Sequence, residues 1–421
     1  MMVSNYKNIK ARVKSSIGNS FPALLHKNFR YFWLGQCISL IGTWMQNAGQ
    51  SWLVIQTTNS PFLLGVLNAA QFIPTLIFSL FAGVMVDRFP KRIITIITQV
   101  ALMFCAFGLA VLIWTGNAKF EYILIIAVML GIAQSIDMPA RQALMVELVG
   151  KEDLLNAIAL NSSIFNAARI LGPLVAGLIM GWLGAGAAFF INGISFIAVI
   201  YGLYKIKIED KSNESLSDKG MLSNVMEGIR YIVKTKILYG TLFIIAVVWT
   251  FTLNFSTLIP AFALGVLHEQ EFGYGVLMAF MGIGAFIGAM SLAAKSSRGP
   301  KLAIFLLGGI VMSVFMIAIG IQKNFLLTAL FLAIAGWGMI IFNASANSIL
   351  QINSPDHLRG RILSVYALVS GGAIPFGSLY AGYMAESYGS NIAFVVSGVV
   401  GVAVVGAVSL MFIRRNVPVK D

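Results

Sequence analysis

Residues 65–91 read GVLNAAQFIPTLIFSLFAGVMVDRFPK, and residues 275–301 read GVLMAFMGIGAFIGAMSLAAKSSRGPK. The two stretches align without a gap. Each begins with Gly-Val-Leu, continues through an apolar run of membrane-spanning length, and ends in Arg-x-Pro-Lys. A second pair, residues 172–177 and 377–382, also repeats across the chain. A repeat of half the chain carried by membrane-length segments is typical of a two-halved transporter, whose halves can rock about a central site.

Composition and apolar runs predict a membrane protein built from helices. Hydrophobic residues make up 58% of the 421-residue chain and charged residues only 11%, whereas soluble proteins carry about 25% charged residues. We therefore predict an all-α polytopic membrane protein with twelve transmembrane helices in two pseudo-symmetric six-helix bundles. The apolar runs, each long enough to cross about 30 Å of hydrocarbon, lie at 31–56, 62–86, 93–115, 121–148, 157–180, 187–205, 239–264, 274–294, 302–321, 326–349, 361–385 and 391–413.

These spans also predict how the chain is divided. In the polar stretch between the bundles, apolar residues recur at helical spacing from Met221 to Lys236, which predicts an amphipathic helix at the inner membrane surface. The predicted segments are an N-terminal segment (1–30), a first six-helix bundle (31–205), a linker (206–238), a second six-helix bundle (239–413) and a tail (414–421).

The basic residues are distributed unevenly between the two sides of the predicted membrane. The chain has a net charge of +13, and all but four of its 29 Lys and Arg residues fall in the termini and in the connections of one side. The exceptions are Lys119 and Lys323 on the other side and Arg141 and Arg169 inside spans. Such asymmetry predicts that both termini are cytoplasmic. Because the basic residues form membrane-edge clusters rather than one face, we expect a lipid bilayer and no nucleic acid as the partner.

The residue types needed for catalysis or metal binding do not cluster in this sequence. Cys37 and Cys105 lie inside spans, and the three histidines are far apart, so no metal site or acid–base pair is expected. No nucleotide-binding P-loop is evident, and we expect no cofactor. The protein is therefore not expected to be an enzyme, and an ion gradient is the expected source of energy.

The connection between the second and third spans resembles a known signature. Residues 83–92, GVMVDRFPKR, are similar to the sequence G-x-x-x-D-R-x-x-[KR]-[KR] of the major facilitator superfamily, with Pro90 where glycine is usual. The resemblance implies a charged cytoplasmic latch that stabilises the outward-facing state, with the aspartate near the positive N-terminal end of the eleventh helix. The latch residues would be Gly83, Asp87, Arg88, Lys91 and Arg92.

Two neighbouring positions complete the expected latch. Glu147, at the inner end of the fourth span, is expected to form a salt bridge with Arg88 or Arg92. In the second copy of the repeat, Ser297 stands where Asp87 stands in the first. The latch is therefore predicted to be asymmetric.

The fifth span carries a second resemblance. Residues 168–177, ARILGPLVAG, are similar to the antiporter motif of the same superfamily. Gly172, Pro173 and Gly177 match its core G-P-x-x-G-G, and Ala176 replaces one glycine. The motif implies export rather than uptake, although an ordinary Gly/Pro kink would explain the same residues.

Other stretches place the chain within the superfamily. Residues 42–46, GTWMQ, and 138–144, MPARQAL, resemble the enterobactin-exporter and macrolide-efflux branch. This resemblance implies a monomeric drug- or siderophore-exporting proton antiporter in the bacterial inner membrane, working by alternating access. A proton-coupled uptake symporter and a lipid flippase share the fold and remain alternatives at this point.

Three charged residues lie well inside predicted spans, where a charge is costly unless it is paired or hydrated. Asp137 in the fourth span and Arg169 in the fifth are at similar depth, and Arg141 is one helical turn from Asp137. We predict an Asp137–Arg169 or an Asp137–Arg141 interaction. The pair would either fix helix packing or allow Asp137 to exchange a proton during transport.

Amide and tryptophan side chains inside the spans are candidates for the substrate cavity. They suit a bulky amphipathic solute better than a small ion, although each could instead form a hydrogen bond between helices. The candidates are Gln36, Gln46, Asn47, Gln50, Asn68, Gln71, Trp249, Asn254, Trp337, Asn343 and Asn347.

Overall fold

The computed structural model describes residues 21–206, 221–294 and 302–414. These residues form a short 3₁₀ turn, Pro22–Leu25, followed by α-helices. The helices are α1 (Lys27–Thr58), α2 (Pro61–Arg88), α3 (Lys91–Trp114), α4 (Phe120–Val149), α5 (Leu154–Leu183), α6 (Ala185–Lys205), α7 (Met221–Lys234), α8 (Lys236–Phe251), α9 (Phe255–Gly265), α10 (Glu271–Ala294), α11 (Leu302–Gly320), α12 (Phe325–Ile352), α13 (Arg359–Tyr388) and α14 (Ser390–Arg414).

The helices pack into two bundles of the same design. In the first, α1 packs on α5 and α6, α2 on α4, and α3 on α4 and α6. In the second, α10 packs on α12, α11 on α12 and α14, and α13 on α8. The bundles meet mainly through α2 against α13 and α5 against α10. The all-helical architecture agrees with the predicted fold class.

The described helices account for the predicted membrane spans. Eleven stretches are long and apolar enough to cross a membrane, with α8 and α9 counted as one stretch, Lys236–Gly265. Helix α1 does not meet that apolar criterion because its sequence contains glutamine, asparagine and threonine among the apolar residues. It nevertheless packs along α5 and α6, both of which qualify, and so takes the position of the first span.

The seventh span differs from its prediction as a single run at 239–264. It breaks between Phe251 and Phe255, where α8 ends and α9 begins. Asn254 Nδ2 donates to the carbonyl of Thr250 at 2.8 Å, and Gly377 of α13 lies so close that a Cβ there would be 2.6 Å from Asn254 Oδ1. The break is therefore buried against another helix, which is where irregular backbone is tolerated at membrane depth.

The two bundles touch on one side and separate on the other. We name the side that carries the basic connections the inner side. On the outer side, a Cβ on Gly65 of α2 would collide with the backbone of Ser378 on α13. Further in, a Cβ on Gly371 would be 3.5 Å from Leu76, an ordinary contact, and a Cβ on Gly83 would meet nothing within 4 Å in the described structure. The separation between α2 and α13 thus increases from the outer side toward the inner side.

Polar contacts between the bundles also lie toward the outer side. Gln56 Nε2, at the end of α1, donates to Glu271 at 2.8 Å. Ser60, which caps α2, donates to Glu386 near the end of α13 at 2.9 Å. Among the described residues, the two bundles therefore touch on the outer side and separate on the inner side.

Helix α7 lies at the inner side and packs on α13 and α8. Glu227 of α7 forms an ion pair with Arg361 in the first turn of α13. A Cβ on Gly228 would lie 3.2 Å from the Arg361 carbonyl, so the two helices approach closely. The linker helix is thus fixed to the inner end of α13.

Candidate transport and coupling site

The centre of the first bundle holds a completely buried carboxylate. Asp137 on α4 is 0% exposed. Its Oδ1 accepts hydrogen bonds from Thr98 Oγ1 at 2.7 Å and from Gln99 Nε2 at 2.8 Å, both on α3. Its Oδ2 lies 2.6 Å from Nη2 of Arg141. Two hydrogen-bond donors on α3 and the guanidinium of Arg141 on α4 therefore surround the Asp137 carboxylate.

Arg141 extends this network from the buried carboxylate toward open space. Its Nη1 donates to Gln36 Oε1 on α1 at 2.6 Å. The side chain of Arg141 is 26% exposed, whereas Gln36 is buried. Arg141 is therefore partly exposed beside the buried Asp137, and it links α4 to α1.

The network also contains amide atoms without a partner. Gln99 Oε1 and Gln36 Nε2 are buried without a hydrogen-bond partner in the described structure. Each of these amides therefore uses only one of its two polar ends in the Asp137–Arg141 network.

Arg169 does not join this network. Its guanidinium carbon lies 5.3 Å from the ring centroid of Trp44 on α1, a cation–π geometry. The Trp44 ring in turn packs edge-on against Phe165 at a centroid distance of 5.5 Å. Of the two partners predicted for Asp137, the structure gives Arg141. The physical reason is packing, because α4 lies mainly on α2 and α3 whereas α5 lies on α1 and α10.

The charged residues of the predicted latch form contacts within the first bundle. Lys91, whose side chain is 8% exposed, lies 3.2 Å from Glu147. The prediction that Glu147 pairs with Arg88 or Arg92 is therefore wrong, because its partner is Lys91. Arg92 is engaged elsewhere, since its Nε and Nη2 donate to the carbonyls of Leu203 and Tyr204 at 2.8 and 3.1 Å.

Helix termini explain this arrangement of the latch. The carbonyls that Arg92 binds belong to the last turn of α6, where cations are favoured by the helix dipole. Arg88 is exposed, and Gly83 has no close neighbour among the described residues. The side chain of Asp87 and the whole of Ser297 lie outside the described part of the structure.

The residues of the predicted antiporter motif lie where α5 contacts both α1 and α10. A Cβ on Gly172 would be 2.9 Å from the backbone nitrogen of Met45 on α1, and a Cβ on Gly177 would be 2.6 Å from the Glu271 carbonyl on α10. On α10, a Cβ on Gly275 would be 2.6 Å from the carbonyl of Pro173. Small residues thus let α5 fit closely between helices of different bundles.

The cavity candidates fall into two groups. One group is buried and contacts neighbouring helices; for example, Asn192 Nδ2 donates to Gln46 Oε1 at 2.5 Å and Asn68 Nδ2 to Thr257 Oγ1 at 3.1 Å. These residues are not exposed to the space between the bundles in this conformation: Gln36, Gln46, Gln50, Asn68 and Asn254. The other group is half-buried: Asn47, Gln71, Trp249, Trp337, Asn343 and Asn347.

The half-buried candidates on the second bundle also make specific contacts. Trp249 Nε1 donates to Asn343 Oδ1 at 3.0 Å, joining α8 to α12. Trp337 Nε1 donates to Ser291 Oγ at 3.2 Å. These bonds hold the indole rings in fixed orientations.

Sequence reasoning missed several residues that the site uses. Thr98 and Gln99 form the only adjacent pair of Thr and Gln within the apolar run of α3, and that polar pair was an available signal. Trp44 and Phe165 carry no such signal because aromatic residues are common in membrane spans.

The fold and this interior site define a polytopic transporter of the major facilitator fold rather than an enzyme. Residues 18–421 match the transmembrane secretion effector family of the major facilitator superfamily, and the chain belongs to that family. This confirms the resemblance seen in the sequence.

Curated relatives match most of the chain. The staphyloferrin A transporter of Staphylococcus aureus is 24% identical over 400 residues, covering 93% of this chain and 97% of that protein. The multidrug efflux pump Tap of Mycolicibacterium fortuitum is 27% identical over 352 residues, covering 82% and 85%. Macrolide efflux protein A of Streptococcus pyogenes is 21% identical over 380 residues, covering 88% and 92%.

Solved structures share the fold at low sequence identity. A bacterial homolog of the human lysosomal transporter Spinster superposes with a TM-score of 0.74 at 14% identity, covering 92% of this chain and 97% of that one. The nucleoside transporter NupG gives a TM-score of 0.76 at 11% identity, covering 91% and 99%.

Proposed function

We propose that this protein is a secondary active exporter that exchanges protons for amphipathic small molecules, such as drugs or siderophores, by alternating access. Three matched relatives are named as a staphyloferrin A transporter, a multidrug efflux pump and a macrolide efflux protein, which supports a small-molecule cargo of this class. We further propose that it works as a monomer in the bacterial inner membrane with both termini cytoplasmic. One chain supplies both bundles and the space between them, so a second copy is not needed to complete the site.

The close helix contacts at the outer side support the alternating-access part of the proposal. Glycines allow α2 and α13, and also α5 and α10, to meet backbone to backbone when that side is closed. At the inner side, Gly83 and Gly360 have no described atom within 4 Å of an added Cβ and could become the contact surface in the opposite state. The two bundles would then exchange which side is sealed.

The proton-exchange part rests on a single observation, the buried Asp137–Arg141 pair, with donors to Asp137 on α3 and an acceptor for Arg141 on α1. In the inner-open state, ionised Asp137 is balanced by Arg141 at 2.6 Å. A proton that enters from the outer side would bind Asp137 and remove the negative charge. Arg141 would then be released toward the space between the bundles, and the proton would leave to the inner side when the pair forms again.

Proteoliposomes containing a pH-sensitive dye test this proposal. With an imposed proton gradient, a panel of macrolides, cationic dyes and catecholate siderophores should include compounds that induce proton flux. Asp137→Asn should abolish that flux. Glu121→Gln, which removes an exposed carboxylate at the outer end of the same helix, should retain it.

Each other outcome would change a different part of the proposal. Compound-induced flux that survives Asp137→Asn would exclude Asp137 as the proton carrier. Movement of compound in the same direction as the protons would favour an uptake symporter. Lipid scrambling or flipping without any drug flux would favour a flippase.

A further inference from the structure

The charges at mid-membrane depth do not balance. The spans of this chain place Asp137, Arg141 and Arg169 well inside, and the other carboxylates of the sequence lie at helix ends, in connections or in the termini. Asp137 and Arg141 compensate each other. Arg169 is therefore left as an additional positive charge at this depth.

The surroundings of Arg169 do not supply an anion. No carboxylate of the described residues lies within ion-pair distance of its guanidinium. Its guanidinium lies over the Trp44 ring instead. A cation–π contact offsets only part of the cost of keeping a guanidinium away from water, so the site favours an anionic ligand.

Arg169 faces the space between the bundles rather than lipid. Arg169 is half-buried, and it shares one face of α5 with Ser162, Phe165 and Asn166, at the spacing of one and two helical turns. Phe165 is 41% exposed. Polar and charged side chains on a partly exposed face at this depth indicate a wet cavity, because lipid would not accommodate them.

Arg169 also sits where the two bundles meet. A Cβ on Gly282 of α10 would lie 3.2 Å from the Arg169 carbonyl. Pro173, four residues further along α5, has no N–H to donate to that carbonyl. The backbone at Arg169 is therefore part of the α5–α10 contact, while its side chain points to Trp44 of α1.

We propose that Arg169, Trp44 and Phe165 form a recognition subsite for a carboxylate group on an amphipathic substrate. The guanidinium would bind the carboxylate through two parallel hydrogen bonds, and the two aromatic rings would contact the adjoining apolar part of the ligand. A cationic solute would be repelled by the same guanidinium. This inference rests on the proposed transport function only in taking the space between the bundles as the substrate site.

A binding experiment on the full chain tests the subsite without requiring transport. The protein would be placed in phosphatidylcholine nanodiscs and titrated calorimetrically with 2-naphthoate and with its uncharged counterpart 2-naphthamide, and empty nanodiscs would correct for partition into lipid. We expect 2-naphthoate to bind at least about tenfold more tightly, which corresponds to about 1.4 kcal/mol. Arg169→Gln should remove this preference and leave 2-naphthamide binding unchanged.

Two further variants separate recognition from general electrostatics and from loss of fold. Arg169→Lys should keep part of the preference, because lysine retains the positive charge but lacks the planar guanidinium that binds a carboxylate through two hydrogen bonds. Lys323→Gln, which removes an exposed positive charge on the outer side, should keep all of it. Arg169→Gln should fold normally, since it removes an uncompensated charge from the interior.

The outcomes also separate this inference from the proposed function. Equal affinity for the two probes, a preference that survives Arg169→Gln, or no saturable binding of 2-naphthoate would each overturn the carboxylate subsite. Failure of proton-coupled flux in proteoliposomes, with the naphthoate preference intact, would instead reject the antiport mechanism and leave the subsite standing.

Discussion

Asp137 and Arg141 lie one turn apart on α4 with Oδ2 and Nη2 separated by 2.6 Å, yet only the carboxylate is completely buried. Asp137 therefore depends on Arg141 for charge compensation more than Arg141 depends on Asp137. Without Arg141, Asp137 would be an uncompensated charge with no access to solvent. Without Asp137, Arg141 could still turn toward the space between the bundles.

This asymmetry predicts unequal effects of neutralising each residue. Arg141→Gln should lower the free energy of unfolding by about 3 kcal/mol, because it strands a buried carboxylate. Asp137→Asn should lower it by a smaller amount, since asparagine can still accept from Thr98 and the arginine can be hydrated. Thermal unfolding of the purified variants in detergent would measure both effects.

The double variant provides the control for this prediction. Asp137→Asn combined with Arg141→Gln leaves no charge unpaired and should regain most of the stability lost in Arg141→Gln. Equal losses in the two single variants, or a double variant no more stable than Arg141→Gln, would contradict the asymmetry.

Closure of the outer side should depend on Gly65. In Gly65→Val, the side chain would collide with the Ser378 backbone, which cannot move without displacing α13. We expect the collision to cost about 1–3 kcal/mol in the inner-open state alone and to shift the population toward the opposite state. A cysteine introduced at the exposed Ser364, at the inner end of α13, should then react more slowly with a hydrophilic maleimide.

Gly181 offers a matched control for Gly65. It lies near the outer end of α5, and a Cβ there meets nothing within 4 Å in the described structure. Gly181→Val should leave the reactivity at Ser364→Cys unchanged. A similar slowing in both variants would show that the effect does not arise from the α2–α13 contact.

Lys91 and Arg88 should differ in their effect on stability although both belong to the same basic motif. Lys91 is almost buried and pairs with Glu147, whereas Arg88 is exposed. Lys91→Met should therefore lower the free energy of unfolding by about 1 kcal/mol, since Glu147 loses its partner but is 33% exposed to solvent, and Arg88→Met by less than about 0.5 kcal/mol. Thermal unfolding of both variants in the same detergent tests this, and comparable losses would count against it.

Much of the fold could be predicted because helical spans are determined locally. Length and apolarity define each span, and the internal repeat shows that the halves are related. The Asp137–Arg141 pair was also accessible, since a four-residue spacing places two side chains on one helical face. In each case the information lies within a short stretch of sequence.

Contacts between helices were predicted less well. Glu147 pairs with Lys91 because Arg92 is taken by the end of α6, and this competition depends on where α6 ends. Thr98 and Gln99 contact Asp137 only because α3 packs on α4 with the face that carries these two residues. The break in the seventh span likewise depends on Gly377 of another helix. Spacing within one helix does not determine such relationships.

The buried amides of α1 should contribute to stability through their partners on α6. Gln46→Leu removes the acceptor of the 2.5 Å bond from Asn192 and leaves a buried N–H group unpaired, so we expect a loss of about 1 kcal/mol in the free energy of unfolding. Combining it with Asn192→Leu should restore much of that loss, because neither helix then presents an unpaired polar group. Asn47→Leu, at the half-buried neighbouring position, should change stability little. Asn192 Oδ1 also accepts from Ser195 Oγ at 3.0 Å, but that hydroxyl keeps its bond to the Asn192 carbonyl at 2.7 Å in the double variant. Thermal unfolding of the three variants would decide, and a double variant less stable than Gln46→Leu would contradict the prediction.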